Sequence, residues 1–390
     1  MDKGMGNTIA SAKFLNFGQS KIKIMVYTIQ DIVSFLEQIA PPSYQESYDN
    51  SGLITGNPSE QIKGVLCSLD ATEAVVDEAI SLGCNLIIAH HPIIFKGLKG
   101  LTGKNYVERT VIKAIKNDIA IYAIHTNLDH ISQGVNKKIS DKLGLVETAI
   151  LQPKKGLLSK LVTFVPIEAK QKVLSALFGA GAGEIGEYAG CSFLSEGIGT
   201  YTPSDKANPH KGSKGLPHEE AEIRIEVLLP RHLERKVLAS LKQAHPYEEV
   251  AYFLHQLENE NQWVGAGMVG MLPVPMEEGA FLQSLKVKMG LQVIKHTQLL
   301  GKPVRKVAVC GGAGIFLLPH AKRSGADIFI TSDIKYHEFF DAENQIVVCD
   351  IGHYESEIFT KELLVEILSQ KFTNIALYLT KVVTNPITYL

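Results

Sequence analysis

The chain has 390 residues, room for about two to three domains, and its 45% hydrophobic and 21% charged residues are an ordinary balance for a globular protein. With 39 basic against 41 acidic residues the net charge is -2, so the bulk charge marks neither a nucleic-acid surface nor an anionic-membrane surface. No apolar run approaches the ~18 residues that cross a bilayer. The five cysteines, Cys67, Cys84, Cys191, Cys310 and Cys349, include no CxxC pair and read as reduced thiols of a cytoplasmic protein, four of them in or beside aliphatic runs.

Residues 1–25 carry Lys3, Lys13, Lys21 and Lys23 but no continuous apolar stretch, and are expected to be a disordered extension, with the folded protein beginning near Val26. TIQDIVSFLEQIAP reads as a helix, with Ile29, Ile32, Val33 and Leu36 at helical spacing and a stop at Pro41. GVLCSLD (64–70) is a buried strand, ATEAVVDEAISLG a helix that Gly83 caps, and CNLIIAHHP a second strand. A helix over 107–117 and the strand DIAIYAIHTNLDH follow. Strands alternating with helices predict right-handed crossovers and a mainly parallel sheet.

The pattern then changes to strand, helix, two strands, helix and strand. The segments are KLVTFVP (160–166), EAKQKVLSALFGAG, CSFLSEGIGTYTP, AEIRIEVLLP, RHLERKVLASLKQAH and EVAYFLHQLE. That βαββαβ order is the ferredoxin-like arrangement. SDKANPHKGSKGLPHEE (204–220), rich in Pro, Gly, Lys and His, is an exposed loop between its middle strands. After about residue 285 the α/β alternation resumes with RKVAVCGG, ADIFITSD, NQIVVCDIG, a helix over roughly 355–370 and the strand NIALYLTKVV. The expected architecture is one α/β domain in two halves, 26–150 and 286–390, with an α+β domain inserted over 155–285.

Three clusters carry chemistry. Side chains at the carboxyl ends of parallel strands point into the crevice where ligands bind. His90 and His91 close the run IIAHHP, and both reach one site only if the strand ends there, which Pro92 favours. His125 and Asp129 follow the next strand on the same sheet edge, while His130 is read as structural or solvent-facing. His353 and Glu357, four residues apart, share one face of a helix start; Glu355 lies off that face as a first-turn acid. Histidines with two carboxylates exceed the needs of one tetrahedral ion and point to two divalent ions of the Zn, Fe or Mn kind. CGGAG (310–314) is a tight turn or an anion cradle, Asp333 and His337 are structural or touch substrate, and HPYEE (245–249) is read as loop residues before a strand.

IIAHHP, HTNLD, TSDIKYHE and IGHYESE, in that order, resemble the Nif-three-like dinuclear metal-centre family, whose members are often labelled GTP cyclohydrolase I type 2 homologues. DNSGL (49–53) is similar to an early family motif, with Tyr48 where tryptophan is usual. Over essentially all of 26–390 the resemblance implies His90, His91, Asp129, His353 and Glu357 as metal ligands, with Glu357 bridging. His125 would line the site, and His125 or His337 would move protons. It further implies an insert similar to PII and CutA proteins and a toroidal homohexamer. The implied activity is metal-dependent hydrolysis of a nucleotide or other small molecule. The rival reading is a non-enzymatic metal store, or a regulatory scaffold sensing a metabolite through the insert.

Overall fold

A computed structural model describes residues 26–390; the expected N-terminal extension, 1–25, lies outside the described residues. The first helix, Ile29–Ile39, begins where the Thr28 hydroxyl and the Asp31 carboxylate each accept from the other's backbone amide. It buries Ile29, Ile32, Val33 and Leu36.

Fifteen strands follow among the described residues. The first four are β1 (Gly52–Thr55), β2 (Val65–Ser68), β3 (Leu86–Ala89) and β4 (Ala120–Ala123). A longer strand, β5 (Val146–Lys154), precedes β6 (Leu158–Pro166), β7 (Phe193–Tyr201), β8 (His218–Pro230) and β9 (Tyr252–Leu257). The remainder are β10 (Asn261–Met276), β11 (Lys295–His296), β12 (Val304–Val309), β13 (Ile328–Thr331), β14 (Val347–Asp350) and β15 (Leu377–Leu379).

They form three sheets. The first has the order β1-β4-β3-β2-β15 and is parallel except where β1 meets β4. The second has the order β11-β14-β13-β12-β10-β5, with a parallel centre (β14-β13-β12) and antiparallel pairings on both sides. The expectation of a mainly parallel sheet therefore holds for the first sheet, whereas the second is mixed. The third sheet, β7-β8-β6-β9, is wholly antiparallel, and with helices Lys170–Gly179 and Glu234–Ala244 it follows the βαββαβ order.

Alternation along each strand sorts residues between layers. On β3, Leu86 and Ile88 face the central core, while Ile87 and Ala89 face the helices Glu73–Ser81 and Tyr106–Lys116. On β13, Ile328 and Ile330 join the same central core, and Phe329 packs under helix Leu318–Ser324. Helices Val135–Leu143, Glu278–Met289 and Thr360–Ser369 fill that core through Ile139, Leu285 and Leu364. The third sheet has a core of its own, with Leu161 and Ile225 against Val173 and Leu241.

One boundary differs from the sequence reading. The stretch 261–285 was expected inside the inserted segment, yet β10 pairs with both β5 and β12, and Phe281 and Leu285 sit in the central core. The third sheet ends at Leu257.

Phe372 plugs the central core, 1% exposed, with Tyr27 and Phe35 edge-on at 4.9 and 5.3 Å. Phe372→Ala is expected to cost about 3–5 kcal/mol in urea unfolding; a loss under about 1 kcal/mol would mean the site collapses freely around the gap.

Candidate functional site

The carboxyl ends of β2, β3 and β4 face those of β12, β13 and β14. Each strand end supplies one part of a polar cluster, so two triplets of parallel strands close around it from opposite sides. β3 ends at Ala89, and the amides of His90 and His91 then bond to the Ser68 and Leu69 carbonyls. The backbone leaves the regular ladder there, and both imidazoles turn to the same place.

Every imidazole is held by its outer nitrogen. His90 Nδ1 donates to the Ile124 carbonyl at 2.8 Å. A carbonyl only accepts, so the proton sits on Nδ1 and the Nε2 lone pair faces inward. His91 Nδ1 lies 2.8 Å from Asp70 Oδ1, and the other oxygen of Asp70 accepts from the Thr384 hydroxyl at 2.5 Å. His353 Nδ1 lies 2.7 Å from Asp333 Oδ2. Asp333 takes a φ of 56°, a left-handed conformation that Asp tolerates better than most residues. His125 Nδ1 lies 2.9 Å from Asp49 Oδ1.

Inside this ring of nitrogens stands Glu357, only 3% exposed. Its Oε2 is 2.9 Å from His91 Nε2 and 3.0 Å from His353 Nε2, and its Oε1 is 3.9 Å from His90 Nε2. Asp129 Oδ1 completes the other side, 3.5 Å from His90 Nε2. Three sets of donor atoms each fall within 4.8 Å of one another: His91, His353 and Glu357; His90, Asp129 and Glu357; and His90, His91 and His125. His90 Nε2 and Asp129 Oδ1 are buried without any hydrogen-bond partner. A buried polar atom left unpaired is costly, and an inward lone pair facing a carboxylate is the donor set a divalent cation takes. The residues present fit a metal.

Charge in the cluster is tightly balanced. Burial alone would raise the Glu357 carboxyl, but the imidazoles of His353, His90 and His91 hold it well below its usual range. Burial disfavours the charged form of His91 too, yet Asp70 and Glu357 outweigh it and push its pKa up to about 10. His353 rises to about 9, burial being overcome by Glu357 and then Asp333. Burial, then the neighbouring Glu357 charge, raises Asp129 to about 7. For Asp49, burial is outweighed by bonds from His125 and Thr126, and its pKa falls.

All five expected ligands thus come together, and His125 joins them on the β4 side. His337 does not. It lies exposed on the turn Tyr336–Ala342, stacked on Phe340 with ring centroids 6.2 Å apart. His130 is buried and bonds to the Tyr44 carbonyl at 2.7 Å, a structural role. Glu355 turns outward to Asn385 at 3.0 Å. In HPYEE, His245 bonds to the Phe164 carbonyl. The CGGAG turn is a packed joint: the amides of Gly311, Gly312 and Gly314 bond to Asn136, Ser356 and Thr331. Those amides have no spare hydrogen for a phosphate.

The cluster opens on a cavity of about 410 Å³ whose walls include Tyr48, His125, Asp129, Gly312, Phe316 and Glu357. The Duf34/NIF3 (NGG1p interacting factor 3) family model matches residues 27–386. The chain belongs to the DUF34/NIF3 family. Among its relatives in this family is a Bacillus subtilis protein named "GTP cyclohydrolase 1 type 2 homolog", 38% identical over 366 residues, which cover 93% of this chain and 98% of the relative. A solved structure of a Bacillus cereus protein related to NIF3 superposes with a TM-score of 0.83 at 37% identity, covering 94% of this chain and all of that one. A Staphylococcus aureus structure gives 0.75 at 29% identity, covering 93% and 99%. No described helix is long and apolar enough to cross a membrane.

In this DUF34/NIF3 chain Asp70 and Asp49 stand outside the sequence-based candidates, Asp49 within the DNSGL motif. Both hold an imidazole by its outer nitrogen. The signal for Asp70 was present, since it sits just past the end of β2, the placement that exposed the histidines.

Two outcomes are expected. In chelator-treated protein, the stability contributed by charged His91 and His353 is complete below the unfolded imidazole value of 6.5 and is lost as pH rises through about 9 and about 10. Its melting temperature falls over that interval, while the affinity for added zinc or manganese climbs because ion and proton compete for the same nitrogens. A metal-free melting temperature that stays level from pH 6.5 to 10 would contradict the assigned ion pairs. A second test is Gly312→Ala. Gly312 has φ +61°, and a Cβ there would stand 2.4 Å from Glu357 Oε1. The variant is expected to lose about 1–3 kcal/mol of stability and at least about tenfold in metal affinity, read by calorimetry; unchanged affinity would mean that Glu357 is free to move aside.

Proposed function

We propose that the protein is a two-ion metal centre and a metal-dependent hydrolase of the GTP cyclohydrolase type. The observation that carries this reading is the sharing of Glu357. One oxygen faces His91 and His353, the other faces His90 and Asp129, and each half alone holds the donors of one ion. Zn, Fe and Mn all suit such imidazole and carboxylate donors. When bound, a pair of such ions lowers the pKa of water and polarises the atom under attack.

The chain's own residues do the rest. His125, with Nδ1 bonded to Asp49, keeps Nε2 for proton transfer at the cavity wall. The burial of Glu357 and His90 excludes water from the far side of the cluster. In this reading GTP takes up water at its imidazole ring carbon and opens to a formamide, a second water releases formate, and the sugar carbons close the new ring with loss of water to give dihydroneopterin triphosphate. Support for GTP itself comes from the names that the relatives carry. A generic small-molecule or nucleotide hydrolase fits the same donors. His337, exposed and outside the cavity walls, is a weaker acid–base candidate than His125.

In this proposal the protein works in the cytoplasm as a toroidal homohexamer, and the third sheet is a PII/CutA-like domain inserted in the α/β frame. The alternative reading is a metal store or regulatory scaffold sensing a metabolite through that domain. It draws on a separate cavity of about 820 Å³ at the third sheet, walled by Ile198, Tyr201, Glu222 and Tyr247.

The experiment loads the purified protein with Mn, Zn or Fe, counts ions, and offers GTP, other nucleotides and phosphodiesters. About two ions per chain are expected, with turnover that falls at least about 100-fold in Glu357→Gln and persists in His255→Ala, on the third sheet. Two ions without turnover on any substrate would favour storage or regulation, and fewer than one ion per chain would sink the metal centre itself.

A further inference from the structure

The cavity at the metal cluster does not end there. Glu46, His130, Ala266 and Phe316 line it, and the same four residues line a second cavity of about 670 Å³. The two are lobes of one cleft, joined at that seam. Their chemistry differs. The first lobe carries Glu46, Asp129 and Glu357 and no lysine or arginine. The second carries Lys154, Lys155 and Arg323 against Glu46 and Glu260, with His320 between them.

These cations are not equally engaged. Lys154 Nζ stands at the seam, 2.9 Å from Glu46 Oε1 and 3.4 Å from His130 Nδ1. Lys155 reaches Glu260 only at 3.8 Å. Arg323 has no carboxylate partner among the described residues, and burial, then the Arg323 charge, holds the neighbouring His320 imidazole below its usual value. A guanidinium without a counter-ion and a lysine at the seam match the donors that receive an oxyanion. Phe316, 60% exposed, forms an apolar wall common to both lobes.

We propose that this second lobe is the phosphate subsite of the cleft. The substrate is a small organic phosphate whose reacting bond lies at the metal cluster, whose body runs along Phe316, and whose phosphate lies between Lys154 and Arg323. The assignment rests on the metal-centre reading for the reacting end alone; the subsite is made by residues that touch no metal ligand.

That separation makes the two readings testable apart. Inorganic pyrophosphate is titrated by calorimetry into the chelator-treated full chain, where no metal is present to attract it. Saturable binding is expected, about tenfold weaker in Arg323→Gln and weaker again in Lys154→Gln/Arg323→Gln, restored in part by Arg323→Lys, and unchanged in His255→Ala on the third sheet. Arg323 is exposed, so Arg323→Gln decides the matter even where the double variant folds poorly. Ion content of Arg323→Gln is counted alongside and is expected to equal that of the parent. Pyrophosphate that binds only after metal loading, or binds equally well without Arg323, overturns the subsite. Failure of the parent to hold metal while pyrophosphate still depends on Arg323 overturns the metal centre and leaves the subsite standing.

Discussion

The structure turns on a buried carboxylate. Glu357 is almost fully withdrawn from water, and an isolated charge in that position would be prohibitive. It is tolerated because imidazole nitrogens surround it, and those nitrogens are in place because each ring is anchored from behind. Asp70, Asp333 and the Ile124 carbonyl fix three rings. Behind Asp70 stands Thr384, a third layer from the segment after β15. Removing any layer loosens the one inside it.

This arrangement explains why the fold brings two strand triplets end to end. Parallel strands deliver their carboxyl ends to one edge, and a single sheet would supply only half of the donors. His90, His91, Asp129, Asp70 and His125 come from the first sheet, and His353, Glu357 and Asp333 from the second. Asn136 ties the halves together directly, donating to the Asp129 carbonyl and accepting from the Gly311 amide. Gly311 and Gly312 occupy the β12 position of the second triplet, where absence of a side chain leaves room for Glu357. The acidic lobe of the cleft and its basic neighbour then meet along one seam.

The parallel cores were legible in the sequence because buried strands such as LIIA and IFIT are short, almost wholly apolar runs with a polar residue at or just past the exit. The same rule found the histidines, since each stands where its strand stops. It failed for β10. The stretch holding Gly265, Gly267, Gly270 and Pro273 lacks a strand's apolar run, yet a Cβ at Gly265 would fall 2.1 Å from the Gln152 carbonyl oxygen. Those glycines serve close strand contact, a tertiary demand that local pattern does not express. The supporting aspartates were hidden for a related reason. Asp70 and Asp49 are ordinary carboxylates in sequence, and only the approach of a ring 21 or 76 residues away gives them work. His337 shows the converse: its spacing to Asp333 looked meaningful, but the turn it occupies carries it into solvent.

The donors are spread widely along the chain, with His91 and Glu357 standing 266 positions apart. During synthesis the paired histidines leave the ribosome early, while the carboxylate that both halves share is the last ligand to be made. The complete set of donors therefore exists only in the finished molecule, once the two halves have found each other.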